Sequence, residues 1–334
     1  MLPLFPPDPA HVDPLLLLLA ALAVDALIGD PPALFRRVPH PVALVGSLIG
    51  ALERGLNRRE LDDGARWWRG IAAVLVTVAL AGGVGVAIDR VSGQFRWGWV
   101  IEIAALAMLV AQRSLFDHVL AVARALERGG LAAGRLAVSH IVGRNPEHLD
   151  AHGVARAAIE SLAENFGDGV VAPVFWYVLL GLPGICAMKA INTLDSMIGH
   201  RSERYRAFGW AAARLDDLAN LLPARLAGAL IALAAVAVPG ADGGHALRAM
   251  LRDARKHRSP NAGWPEAAMA GALDLSLGGP RRYGSEPVSE AWLGSGSAEA
   301  APADIRRALG VAVVACVLQA ALVAAIAGLR LSSQ

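Results

Sequence analysis

Residues 148 to 225 hold the side chains best suited to chemistry. His148, His152, Arg156, Glu160, Glu164 and Asp168 recur every four residues, while Val154, Ile159, Leu162 and Phe166 fall elsewhere, so a helix here carries one ionisable stripe. Glu160 and Glu164 are like charges one turn apart, a pairing that weakens an isolated helix by roughly a few tenths of a kcal/mol. A cationic group is expected between them. Downstream, Lys189, Asn192, Thr193, Asp195 and Ser196 close an apolar run, and Arg214, Asp216, Asp217, Asn220 and Arg225 follow. Magnesium takes oxygen ligands and often bridges a carboxylate or two to substrate phosphates, and arginine matches phosphate geometry. The set therefore suits a phosphorylated or nucleotide substrate at a membrane surface. The competing reading is that Glu160, Glu164 and Asp168 pair with arginines where helices touch. Lys189, deep in an apolar stretch, needs an anion in either case. Local signatures of other chemistries are missing: the sequence has no G-x-x-x-x-G-K-[ST], H-E-x-x-H, C-x-x-C or G-x-S-x-G.

The elements that must position these residues belong to a membrane protein. Hydrophobic residues make up 55% of the 334, and mean hydropathy is +0.46. The formal net charge of +2 and the dispersed basic residues imply no nucleic-acid partner. Cys186 and Cys316 lie far apart in apolar runs and are read as core or lipid-facing. Leu15 to Ile28 lacks the preceding positive charge of a signal peptide and reads as a retained membrane helix, with Asp25 facing a bundle interior or cavity. Val42 to Leu56 is amphipathic and interfacial. Ile71 to Ile88 and Trp97 to about Ala111 form a pair of spans, and Ala308 to Leu329 is the last one.

Basic residues set the topology. Arg36, Arg37, Arg54, Arg58, Arg59, Arg66 and Arg69 precede the paired spans, and Arg113, Arg124, Arg128, Arg135 and Arg144 follow them. The positive-inside rule places 30–69 and 113–168 in the cytoplasm and the N-terminus outside. A full span over Gly169 to Met188 would export the arginines at 201, 204, 206, 214 and 225. Gly181-Leu-Pro-Gly184 is a turn signal in its middle, so two half-helices forming a re-entrant hairpin are favoured. Leu226 to Val238 reads as another partial insertion. The basic segment around Arg248 to Arg258 ends a helix, and Pro265 with Glu266 starts the next. The fold class is thus all-α, a polytopic bundle with partial and amphipathic helices in one domain over 1–334. It comprises N-terminal spans over 14–111, a polar core over 113–283, a mobile loop over 285–304 and a C-terminal span over 305–330.

The runs Glu160-Ser-Leu-Ala-Glu-Asn-Phe-Gly-Asp168, Lys189-Ala-Ile-Asn-Thr-Leu-Asp-Ser-Met-Ile-Gly199 and Ala213-Arg-Leu-Asp-Asp-Leu-Ala-Asn220 with Pro223-Ala-Arg225 closely resemble the CbiB/CobD membrane proteins of cobalamin biosynthesis. So does Ser259-Pro-Asn-Ala-Gly-Trp-Pro-Glu-Ala-Ala-Met-Ala-Gly271; Gly29-Asp30-Pro31 and His40-Pro41 also match. At Asn145 the family commonly has Asp, so that position receives no charge-dependent role. The resemblance implies an ATP- and magnesium-dependent amide ligase in a cell membrane, its site facing the cytoplasm. It would join adenosylcobyric acid to (R)-1-amino-2-propanol O-phosphate, or to aminopropanol, giving adenosylcobinamide phosphate. Glu160, Glu164, Lys189 and Asp195 are then catalytic candidates. Glu160, Glu164, Asp168, Asp216 and Asp217 are candidate metal ligands. Asn165, Asn192, Ser196, Arg214, Asn220, Arg225 and Asn261 are candidate substrate or phosphate contacts. Membrane lipid is an expected partner and homo-oligomerisation is allowed; a corrinoid transporter or a scaffold subunit is the alternative.

Overall fold

The computed structural model describes residues 12–31, 35–37, 39–143, 145–200, 202–283, 286–288 and 290–333. Arg144 and Arg201, both used as topology markers, lie outside the described residues, as do all residues before position 12. The described residues are predominantly helical, with short strand pairs between residues 277 and 293. Among the described residues, four stretches are long and apolar enough to cross a membrane: Asp63–Ser92, Gly98–Val138, Ala151–Ile198 and Pro302–Ser332. A fifth arises if Trp210–Ala219 and Leu221–Ala234 act as one span. The domain expected from the sequence comprises two compact units, each assembled from separated segments.

The first unit takes residues 1–111, 172–220 and 323–334. Its helices are α1 (Pro14–Ile28), α2 (Pro41–Leu56), α3 (Asp63–Ser92), α4 (Gly98–Leu109), α7 (Ala172–Ile198) and α8 (Trp210–Ala219). Helix α1 starts on Asp13, whose carboxylate accepts from the Leu15 amide, and ends at Gly29. Asp25 is only 2% exposed, facing inward as expected. At about 1.5 Å per residue, α3 is roughly 45 Å long. Its outward Leu75, Val76, Leu80 and Val84 are exposed and suit hydrocarbon.

Helix α7 doubles back. Gly181 has φ 67° and ψ −152°, a region open essentially to glycine alone, and Pro183 follows. A Cβ on Gly184 would lie 2.4 Å from the Trp176 carbonyl oxygen, and Ala172 packs in one cluster with Met188. In a straight helix Ala172 and Met188 would be about 24 Å apart. The expected helical hairpin is therefore present. Its tip rests on α3: a Cβ on Gly85 would meet the Leu182 carbonyl oxygen at 2.6 Å. Protein thus surrounds the non-helical backbone, the condition for such backbone at membrane depth.

The second unit takes residues 112–171 and 221–322. It contains α5 (Gln112–Val138), α6 (Ala151–Phe166), a π-helical turn (Gly167–Val171), α9 (Leu221–Ala234), α10 (Gly243–Asp253), a 3₁₀ turn (Ala254–Lys256) and α11 (Gly263–Leu273). Pro302–Ser332, α12, begins here and ends in the first unit. Helix α5 also reverses, at Gly130 (φ 68°, ψ −163°), and a Cβ on Gly134 would strike the Leu126 side chain at 2.3 Å. The sequence reading placed 113–168 in the cytoplasm and expected no reversal there. Between α11 and α12, strand β1 (Leu277–Gly278) pairs antiparallel with β4 (Trp292–Leu293), and β2 (Arg281–Tyr283) with β3 (Glu286–Val288). The segment expected as a mobile loop is in part tied down: the Gly294 amide donates to Asp253 at 2.9 Å, and Leu293 and Ala300 are buried.

Candidate functional site

The residues singled out by spacing fall into two groups, one in each unit. In the first unit the second half of α7 carries Lys189, Asn192, Asp195 and Ser196, and α8 carries Arg214, Asp216 and Asp217. The Trp176 indole donates to the Ala219 carbonyl oxygen at 3.0 Å, pinning the end of α8 to the hairpin. The Asn192 amide then donates to Asp216 Oδ1 at 2.8 Å, while Arg214 pairs with Asp217 at 2.8 Å within α8. Thr193 Oγ1 donates to the Lys189 carbonyl oxygen at 2.6 Å. Among the described residues, Asn220, 1% exposed, closes no hydrogen bond on either side-chain polar atom, although it lies near enough to Asp216 to act on that carboxylate, and Asn192 Oδ1 is likewise open. Buried amides left open in this way are rare in folded proteins and mark a place for a ligand group or water. Asp195, Asp216 and Asp217 feel one another's charge. Lys189 is half-buried, and Ser196 is exposed at the helix end.

In the second unit the polar stripe has a use that spacing did not disclose. A His152 ring nitrogen lies 3.0 Å from the Ala300 carbonyl oxygen, and Arg156 donates to the Ala298 carbonyl and stacks on Trp292 at 5.7 Å. Glu160 Oε1 accepts from the Gly278 amide at 2.7 Å. Successive turns of α6 thus hold the backbone of the 277–300 segment. A backbone N–H is thus one of Glu160's partners. Glu164 and Asn165 are exposed, with the Asn165 amide donating to the Ser161 carbonyl oxygen at 2.8 Å. Asp168 is half-buried on the π turn, whose wider winding ends the four-residue repeat that the sequence suggested for it. Arg225 stacks on Trp264 at 4.5 Å and also donates to the Leu221 carbonyl. Asn261 is 4% exposed, in the Ser259 turn that opens α11.

Among the described residues, no three His, Cys, Asp or Glu side chains are gathered closely enough to hold a metal ion by themselves. The donors present are nonetheless oxygen-rich. Paired carboxylates and open amide oxygens fit a magnesium ion that takes its remaining ligands from phosphate and water.

Sequence reasoning passed over Asp253. It is fully buried, accepts from Arg252 at 2.8 and 2.6 Å, and faces Lys256 at 2.7 Å. Burial alone would raise its pKa, but these cations and the Gly294 amide outweigh it and hold the carboxyl well below the usual carboxylate range. Glu266, 3% exposed, lies 3.7 Å from His257 and was read only as a helix-start residue. The sole sequence signal for Asp253 was its place among Arg252, Arg255 and Lys256.

Long apolar helices, two glycine-tipped helical hairpins and buried polar side chains within the apolar segments define a polytopic all-α membrane protein. The chain belongs to the CobD/Cbib protein family, whose model matches residues 18–312. It is 52% identical over 316 residues to a Sinorhizobium "Cobalamin biosynthesis protein CobD", covering 94% of this chain and 98% of that one. A Brucella suis protein of the same description is 51% identical over 298 residues, covering 88% and 91%. One from Rhodobacter capsulatus is 50% identical over 296 residues, with the same coverage. No solved structure matches. The protein's role is therefore in cobalamin biosynthesis.

Proposed function

We propose that the protein is an ATP- and magnesium-dependent amide ligase, joining the propionate carboxylate of adenosylcobyric acid to aminopropanol or its O-phosphate. The observation that carries this reading is the set of buried amides with open polar atoms beside Asp216, in a chain of this family. Amide formation needs an activated carboxylate, because the anion is a poor electrophile. Transfer of a phosphoryl group from ATP to the carboxylate, then attack by the amine on the carbonyl carbon, releases phosphate and leaves the amide. A divalent cation would neutralise phosphate charge. Within the first unit, Lys189 and Arg214 would supply positive charge toward phosphate, and a carboxylate there such as Asp195 would take the proton that the ammonium loses. The active site would face the cytoplasm.

The test is product formation by purified protein in nanodiscs, given ATP, magnesium, adenosylcobyric acid and the amine. Product should form only with ATP and fall at least tenfold in Asp216→Asn and Asp195→Asn, each retaining the wild-type melting temperature. Absence of product, with corrinoid uptake into sealed vesicles instead, would replace the ligase with a transporter.

A further inference from the structure

Helices α9 and α10 form an antiparallel hairpin inside the second unit. A Cβ on Gly228 would lie 2.7 Å from Met250 Sδ, and one on Gly243 would lie 2.6 Å from the Ala232 carbonyl oxygen, so the two helices touch along most of α10. Ala246, Ala249 and Met250 face inward and are buried. Leu222 and Leu233 on α9, Val236 just beyond it, and Leu247 and Leu251 on α10 are all exposed. Both helices thus present apolar side chains outward. From Arg225 to Leu233, α9 rises about 12 Å, within the roughly 15 Å hydrocarbon depth of one leaflet.

Positive charge collects at the open end of this hairpin. Between Leu221 and Arg258 the chain has six Lys and Arg against two Asp. Neither aspartate is available there: Asp242 caps α10 at the closed end, and Asp253 is buried and engaged by Arg252 and Lys256. Glu266, on the neighbouring α11, is likewise buried, 3.7 Å from His257. Arg225 stacks on Trp264 at 4.5 Å and donates to the Leu221 carbonyl through one Nη, leaving its Nε and other Nη outside that bond. Arg255 is near enough for its charge to act on Arg225, and it is exposed, with no hydrogen bond or ion pair among the described residues. Two guanidiniums from different elements thus approach each other with no carboxylate between them. Like charges repel at such a meeting unless an anion joins them.

We propose that this end of the hairpin holds the phosphate of an anionic membrane phospholipid between Arg225 and Arg255, its acyl chains lying along Leu251, Leu247 and the outward face of α9. Every membrane helix meets lipid, but this surface selects by charge. Two forked donors can fix one phosphate, and the exposed leucines of α10 begin one turn below Arg255, as a headgroup and its chains require. Trp264, under Arg225, suits the headgroup level, where tryptophan concentrates. The headgroup must be net negative, because neither α9 nor α10 has an exposed carboxylate at that end to receive a choline or ethanolamine cation. A free phosphate would meet the arginines and leave the leucines unused.

The experiment is native mass spectrometry of the full-length protein in detergent, titrated with phosphatidylglycerol or with phosphatidylcholine of the same chains. A saturable phosphatidylglycerol site is expected, with affinity at least about tenfold above that for phosphatidylcholine. Arg255→Ala and Arg225→Gln should each weaken phosphatidylglycerol about tenfold, as loss of one charge-assisted contact implies, and leave phosphatidylcholine unchanged. Arg58→Ala removes an equal charge from an exposed arginine of the first unit and should alter neither. Equal affinity for the two lipids overturns the proposal, as does a loss in Arg58→Ala matching that in Arg255→Ala, which would show diffuse attraction alone. Displacement of phosphatidylglycerol by equimolar inorganic phosphate also overturns it and assigns the arginines to a free anion. Arg255 is exposed, so its variant keeps the fold, and unaltered melting temperatures check this for each variant.

Discussion

Glu160 and Glu164 lie on adjacent turns of α6, and their different burial decides how each responds to neutralisation. Glu160→Gln keeps an oxygen for the Gly278 amide, whereas Glu160→Ala strands that amide at a cost of about 1–3 kcal/mol. Melting temperature should therefore fall in the alanine variant and hold in the glutamine variant. Equal melting in both would show that the Gly278 contact contributes nothing. Spacing made the shared helix face legible, because a four-residue repeat fixes a face whatever surrounds it. It could not disclose that a backbone amide from the 277–300 segment meets that face.

Asp253 yields a pH prediction at the same scale. Its pKa is depressed in the folded protein, so its contribution is complete above the unfolded value of about 4 and is lost as pH falls toward the lower folded value. Acid should thus destabilise wild type more steeply below about pH 4 than Asp253→Asn, which lacks the titrating group. At neutral pH the substitution should cost about 1–3 kcal/mol, because Arg252 and Lys256 are half-exposed and water screens part of the loss. Denaturation monitored from pH 7 downward checks both; parallel acid curves for the two proteins would contradict the assignment.

At the scale of elements, two reversals within apparently continuous helices shape the fold. Gly181 was legible because Pro183 and Gly184 stand beside it and because a full span would have exported several arginines. Gly130 was not, since Gly129-Gly130 sits in a charged segment where no membrane argument called for a turn. Both glycines share nearly one backbone conformation, unfavourable for other residues by about 1–3 kcal/mol. Gly184→Ala tests the first hairpin differently, because its Cβ meets the Trp176 carbonyl oxygen, and overpacking of this kind costs about 1–3 kcal/mol. The variant should lose melting temperature and also disturb the Trp176 indole's hydrogen bond to Ala219, read as a tryptophan fluorescence shift. A wild-type melt and spectrum would mean that the helix halves are not packed together.

At the scale of the molecule, membrane sidedness follows from ion pairs within the first unit. Arg204 donates to Glu53 at 2.8 Å and Arg206 pairs with Asp63 at 3.1 Å, so the residues following the α7 hairpin are fastened to the end of α2 and the start of α3. Helix α3 connects that end to the turn at Gln94, and it is long enough to cross the bilayer core of about 30 Å. Glu53, Asp63, Arg204 and Arg206 should therefore share one membrane face, with Gln94 on the other. The arginine excess before α3 predicts that the shared face is the cytoplasmic one. Cysteines introduced singly at Arg58, Ser202 and Gln94, in a background without Cys186 and Cys316, test this with an impermeant thiol reagent on right-side-out vesicles. Gln94→Cys should be labelled, while Arg58→Cys and Ser202→Cys should react only after the membrane is opened. Labelling of Ser202→Cys with protection of Arg58→Cys would require a full crossing where the structure has a hairpin. Labelling of both with protection of Gln94→Cys would keep the hairpin and invert the whole protein, moving any phosphate chemistry beside Asp216 away from cytoplasmic ATP.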